Sequence, residues 1–183
     1  IQTGKIEIHA PKIFSHSEEC PQCLDAIDFI GINYYTRDYI SLDLNSDQKF
    51  IINPPPKGTP VTDLGWEIYP EGIATILKGF RDRGFEKYPI IMTENGLADA
   101  KDQWRAPFIH DHLKVFLKAA EEYKLNAAGY LHWSIIDNFE WVEGFEPRFG
   151  LFEVDYKTME RKARPSASYF REMGIRKSLL PAP

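Results

Sequence analysis

Pro89-Ile90-Ile91-Met92-Thr93-Glu94-Asn95-Gly96 is the stretch whose reading decides the fold. Its first four residues are mostly apolar and predict a short buried strand. A carboxylate follows at once, then Asn-Gly, which is turn chemistry. A strand without polar alternation suits a parallel sheet covered on both faces. Glu94 then stands at the carboxyl end of a strand, where parallel α/β folds gather their chemistry. Taken alone, the stretch fits a surface glutamate opening a loop equally well, so the flanking sequence has to decide.

Working outward, the same unit recurs on both sides. Upstream, Ala26 to Tyr35 reads as a strand ending in Asn33, Tyr34 and Tyr35. Thr36 to Trp66 is an excursion in which Ile40 to Leu44 and Phe50 to Ile52 can pair across Asn45-Ser46-Asp47. Pro54, Pro55, Pro56, Gly58 and Pro60 forbid regular structure after it. Pro70 suits a first helical turn, and Ile73, Ile76, Leu77 and Phe80 follow as one apolar stripe, closed by Gly84. Downstream, Pro107 opens a helix carrying Ile109, Leu113, Phe116, Leu117 and Ala120 on one face. A third strand runs from Ala127 to Ser134, an aromatic loop from Ile135 to Tyr156, and a last helix from Ser166 to Met173 with Gly174 as its stop. Arg161-Lys162-Ala163-Arg164 reads as a solvated entry to that helix. Residues 1–24 carry no clear periodicity and read as a loop or the tail of a helix. Repeated βα units predict parallel strands and right-handed crossovers.

Composition narrows the classes. The formal charge of −5 lacks the basic footprint of a nucleic-acid binder. No apolar run approaches the roughly 20 residues of a membrane span. Ile1-Gln2-Thr3-Gly4-Lys5 has neither the basic nor the apolar block of a signal peptide, and there is no initiator Met, so a trimmed start and a cytoplasmic chain are expected. The two cysteines, Cys20 and Cys23, are expected to be reduced thiols, since a structural zinc needs four ligands. His110 and His112, two apart on a helix, do not share a face, and no metal or cofactor is expected.

Polar and aromatic residues cluster just after each strand: Asn33 and Tyr35, then Glu94 and Asn95, then Trp133, Asp137, Asn138, Glu140 and Trp141. In a parallel sheet these ends open on one face. Carboxylates, amides and indoles together suit a neutral polyhydroxylated ligand, with rings against the apolar face of a sugar and polar groups on its hydroxyls. Core packing is the competing account for Trp133, Phe139, Trp141, Phe145, Phe149 and Phe152. His132, next to Trp133, should face the opposite side of its strand.

Thr93-Glu94-Asn95-Gly96 resembles the nucleophile motif of the family 1 glycoside hydrolases, the β-glucosidases and β-galactosidases. Leu131-His132-Trp133-Ser134, Asp137-Asn138-Phe139-Glu140-Trp141 and Gly144-Phe145 are similar to that family's sugar-binding segment. Arg148-Phe149-Gly150-Leu151, Val154-Asp155-Tyr156, Asp28-Phe29-Ile30-Gly31-Ile32-Asn33-Tyr34-Tyr35 and Gly65-Trp66-Glu67-Ile68-Tyr69-Pro70-Glu71-Gly72 continue the match in order. The resemblance implies the carboxyl-terminal part, about the last three βα units, of a (β/α)8 barrel that retains anomeric configuration. It implies Glu94 as nucleophile, Tyr35 as the residue orienting it, Asn33 near the reacting sugar and Trp133 beneath the sugar ring. It implies Glu140 on the hydroxyls at positions 4 and 6, Trp141 on that at position 3, and Phe149 as a further substrate-binding position. Glu140-Trp141 is the family's pattern for unphosphorylated sugars, and an acidic Glu140 would also repel a phosphate.

A retaining glycosidase needs two carboxyl groups about 5–5.5 Å apart. The family's acid/base lies in an Asn-Glu-Pro motif that this sequence lacks; Phe145-Glu146-Pro147 falls after the last strand and is not its equivalent. The resemblance therefore implies that strands one to five, and the acid/base with them, lie outside these 183 residues. Two expectations follow. The chain is the nucleophile portion of a β-glycosidase that needs the amino-terminal half of the barrel and a small β-glycoside, or it is a non-catalytic fragment that self-associates through open strand edges and at most binds sugar weakly.

Overall fold

The computed structural model describes residues 5–10, 14–23 and 26–183. Strands β1 (Lys5–Ala10) and β2 (Phe14–Glu19) form an antiparallel hairpin, followed by a 3-10 turn at Pro21–Cys23. The expected loop over residues 1–24 is thus corrected where it is described; residues 1–4, 11–13 and 24 lie outside the described residues. Lys-Ile-Glu-Ile is a period-2 pattern, the signature of a strand. Cys20 and Cys23 are joined as a disulfide rather than standing as two thiols, because the turn that brings the Cys23 N–H to the Cys20 carbonyl at 2.9 Å also brings the sulfurs together.

Next come β3 (Ile30–Asn33), the hairpin β4 (Tyr39–Leu42) and β5 (Phe50–Asn53), helix α1 (Gly72–Asp82), β6 (Pro89–Asn95), helix α2 (Arg105–Tyr123) and β7 (Asn126–His132). Strands β8 (Phe152–Val154) and β9 (Arg161–Ala163) pair antiparallel, and α3 (Pro165–Arg176) ends the chain's regular structure. The three long-range strands lie in the order β3-β6-β7, all parallel, as the βα pattern predicts.

Local chemistry explains the ends. Helix α2 starts two residues before Pro107 because the Asp99 carboxylate accepts the Trp104 and Arg105 N–H groups at 2.8 and 3.0 Å. A negative charge there satisfies two orphan donors and the helix dipole together. Helix α3 runs through Gly174, which is tolerated at a cost of about 1 kcal/mol, and stops where Lys177 turns left-handed at φ 50°. Arg161–Ala163 is strand rather than helix entry, and Arg164 is buried. A salt bridge to Asp137 draws it in.

Two apolar clusters hold the elements in place. One packs Ile73 and Leu77 of α1 and Phe116 of α2 onto Ile32, Ile90 and Met92 of the sheet. The other joins Phe108 and Ile109 of α2 to Met173 of α3 around Leu97 and Leu151. Among the described residues no helix is long and apolar enough to cross a membrane.

Candidate active site

Because β3, β6 and β7 run parallel, their carboxyl ends lie on one side, and each delivers a group there. Asn33 and Tyr35 come from the end of β3, Glu94 from the end of β6, and Trp133 from the residue after β7. The Tyr35 hydroxyl donates to Glu94 Oε2 at 2.8 Å. Burial, then the Glu94 carboxylate, raises the Tyr35 pKa, so the phenol remains a proton donor at neutral pH. The Thr93 hydroxyl donates to Asn33 Oδ1 at 2.7 Å, linking β6 to β3 one residue before Glu94.

The third strand end contributes through its loop. Trp133 Nε1 donates to Glu140 Oε1 at 3.0 Å, so the indole and this carboxylate are held as a pair. Burial, opposed by the Trp133 N–H and reinforced by the charge on Glu94, raises the Glu140 pKa above the usual carboxylate range. Trp141, in the same loop, is 78% exposed, and Phe139 and Phe145 stand 5.2 Å apart, half exposed. Phe149 is only 2% exposed. Its ring meets Tyr35 edge-on at 6.3 Å and Trp66 at 6.2 Å, so it backs the Tyr35 ring.

Several polar residues of the sequence cluster turn out to hold the site rather than line it. Asp137 is buried and accepts from Gly150 N at 2.9 Å, Val154 N at 3.2 Å and both Arg164 Nη atoms at 2.9 and 3.0 Å. Burial pushes its carboxyl up, but the Arg164 guanidinium and the backbone donors outweigh it and hold the pKa below the usual range. Asn138 Nδ2 turns back to Ser134 Oγ at 3.0 Å. Asn95 is fully buried, bonded to Tyr34 and Tyr130. His132 is buried on the other side of its strand from Trp133, with its ring 6.0 Å from Phe170.

Three groups that sequence reasoning left unassigned complete the surroundings. Trp66 meets Tyr35 edge-on at 6.0 Å. Arg37 holds buried Glu67 through two hydrogen bonds of 2.6 and 3.0 Å, and its guanidinium lies 3.6 Å from the centre of the Tyr69 ring. This ion pair pins the start of the excursion beside the site. Gly96 follows Glu94 and Asn95 because a Cβ there would run into the Trp133 carbonyl oxygen. Among the described residues no group of three or more His, Cys, Asp or Glu is placed to hold a metal ion.

This arrangement can present one carboxylate, oriented by a phenol, beside an indole–carboxylate pair on an open face. The glycosyl hydrolase family 1 pattern matches residues 5–178. A β-galactosidase of Pyrococcus woesei is 40% identical over 164 residues, 80% of this chain and 31% of that protein. The solved β-glycosidase of Pyrococcus horikoshii superposes with a TM-score of 0.77 at 37% identity, covering 95% of this chain and 39% of that one. A β-glucosidase of Thermotoga maritima, solved in complex with glucoimidazole, gives 0.72 at 34% identity, over 84% of this chain and 36% of that one. The chain spans about a third of the length of the curated relatives it matches.

Proposed function

The chain belongs to glycosyl hydrolase family 1, and on that premise we propose that it is the nucleophile-bearing portion of a retaining β-glycosidase acting on unphosphorylated β-glycosides. The observation that carries the reading is the Tyr35–Glu94 hydrogen bond of 2.8 Å between the carboxyl ends of adjacent parallel strands. Glu94 attacks the anomeric carbon with one carboxylate oxygen, and the bond from that carbon to the leaving oxygen breaks. A general acid protonates the leaving oxygen. Water then attacks the same carbon, returns its proton to that acid, now acting as base, and releases Glu94. Asn33, Trp133, Glu140 and Trp141 bind the sugar, whereas Phe149, expected as a further substrate-binding position, is buried and backs the Tyr35 ring. Glu140, held by Trp133, takes hydroxyls and disfavours a phosphate by charge.

Under this reading β3, β6 and β7 correspond to strands six to eight of the barrel, and the acid/base belongs to the amino-terminal half. The test is the intact mass after incubation with a 2-fluoro β-glucoside carrying an activated leaving group, which needs little acid assistance. One adduct, mapping to Glu94 and absent from Glu94→Gln, is expected. A folded chain that stays unmodified favours the non-catalytic fragment, and one that stays unmodified with the amino-terminal half of the barrel supplied as well would sink the reading.

A second reading, a non-catalytic fragment that self-associates, is favoured by the outer strands β3 and β7, each of which has one edge unpaired among the described residues. Native mass separates the two, since this one requires a closed oligomer of the chain alone.

A further inference from the structure

The register between β6 and both of its neighbours shifts after Met92, next to Glu94. Toward β3, Ile32 pairs with Met92 but the next pair is Asn33 with Glu94, so β6 carries an extra residue. Toward β7, the pairs Met92–Tyr130 and Asn95–His132 set three steps on β6 against two on its partner. A bulge re-aims the side chain beside it and interrupts the regular ladder. That turns Glu94 toward the site, and the backbone ladder resumes beyond the bulge, with the Tyr34 N–H on the Glu94 carbonyl and the Trp133 N–H on the Asn95 carbonyl, both at 2.9 Å.

A side chain spans the same irregular step. Asn95, fully buried, accepts from the Tyr130 hydroxyl on β7 at 2.7 Å through Oδ1 and donates through Nδ2 to the Tyr34 carbonyl beyond β3, also at 2.7 Å. The Tyr34 N–H in turn donates to the Glu94 carbonyl at 2.9 Å, and Tyr35 is the residue that reaches the Glu94 carboxylate. A carboxamide has one donor end and one acceptor end. Turned over, it would set its oxygen against the Tyr34 carbonyl oxygen. The Tyr34 carbonyl can only accept, so it selects the orientation, and the Tyr130 hydroxyl donates to the Oδ1 that this leaves facing β7, tying the amide to that strand. Burial keeps that phenol protonated and able to donate.

We propose, resting on the reading of Glu94 as nucleophile, that Tyr130 and Asn95 are positioning residues: their bridge across the β6 bulge fixes the Tyr34–Tyr35 segment so that Tyr35 stays bonded to Glu94. Neither residue is assigned a contact with substrate.

The test is the rate of labelling by the 2-fluoro glucoside at saturating reagent, read on the whole chain as a double-mutant cycle. Tyr35→Phe should slow labelling by about ten- to a hundredfold. Tyr130→Phe, which touches no carboxylate, should slow it in the same direction and add nothing in a Tyr35→Phe background. Asn95→Ser should do likewise, and it decides the matter if Tyr130→Phe does not fold. A rate that neither variant changes, or that falls equally with and without the Tyr35 hydroxyl, overturns the proposal. Loss of fold in both variants makes the bridge a folding contact and overturns it too. Labelling of the unmodified chain decides the nucleophile reading separately: a labelled chain whose rate is insensitive to both variants sinks the positioning role alone.

Discussion

Tyr35 and Glu94 meet because each stands at the end of its strand, and the 2.8 Å bond between them makes a sharp expectation at the residue scale. A hydrogen bond to a charged group contributes roughly 1.5–3 kcal/mol. Tyr35→Phe should therefore slow labelling by the 2-fluoro glucoside by about ten- to a hundredfold, measured as the rate of adduct appearance at saturating reagent. Unchanged labelling would separate the phenol from the chemistry. Trp133 offers a second check through its bond to Glu140. Trp133→Phe keeps an aromatic surface and deletes the indole N–H that opposes the burial of Glu140. The Glu140 midpoint should rise further in a carboxyl titration, and a fall would mean that burial there depends on the indole itself.

At the scale of elements, the loop from Ser134 to Phe149 is long and mostly irregular, yet it carries Glu140 and Trp141. Asp137 is what anchors it, tying the loop to Gly150, to β8 and to Arg164 at the entry of α3. Removing one partner of a buried pair leaves an uncompensated charge and costs about 3–5 kcal/mol. Asp137→Ala should lower stability by that order in urea unfolding, whereas Asp155→Ala, in an exposed turn, should change it little. Equal effects would mean that Asp137 does not carry the loop. The turn after β6 gives a smaller, steric case. Gly96→Ala sets a Cβ against the Trp133 carbonyl oxygen, so the ends of β6 and β7 must separate. An overpacking cost of about 1–3 kcal/mol is expected, together with slower labelling at Glu94.

For the whole molecule, two buried histidines set the response to acid. Burial pulls the His112 pKa down to about 4 from 6.5. Burial, with the nearby Arg105 charge, pulls that of His132 down to about 3. In both, the folded chain holds the ring neutral while the unfolded chain protonates below about 6.5. The unfolded state therefore binds more protons as the pH drops. Stability present above pH 6.5 is lost as pH falls toward the folded values, at up to about 1.4 kcal/mol per pH unit for each ring. Urea unfolding at pH 7.5, 6 and 5 should show this decline, and His132→Leu should flatten it. A His132→Leu profile parallel to the unmodified chain's would exclude His132 as a source.

The sequence by itself determined the three parallel strands, the helices between them and the residues at their ends. Those features follow from local periodicity and turn chemistry: an apolar run before Thr93-Glu94-Asn95-Gly96, a helical stripe from Ile73 to Phe80, an aromatic strand ending at Tyr35. The motifs also carried the family. What only the tertiary structure decided is which polar residues face the ligand and which hold the others in place. Asp137 and Glu140 are both acids in one loop, three residues apart, and nothing in their spacing separates them. Asp137 is buried because Arg164, 27 residues on, comes back to meet it. Asn95 stands beside Glu94 at the strand end, yet Tyr130, 35 residues away, claims its oxygen. The β8–β9 pairing was hidden for the same reason, since three-residue strands are stabilised by a partner rather than by their own pattern. A side chain's role depends on what distant chain folds against it, and that information is not local.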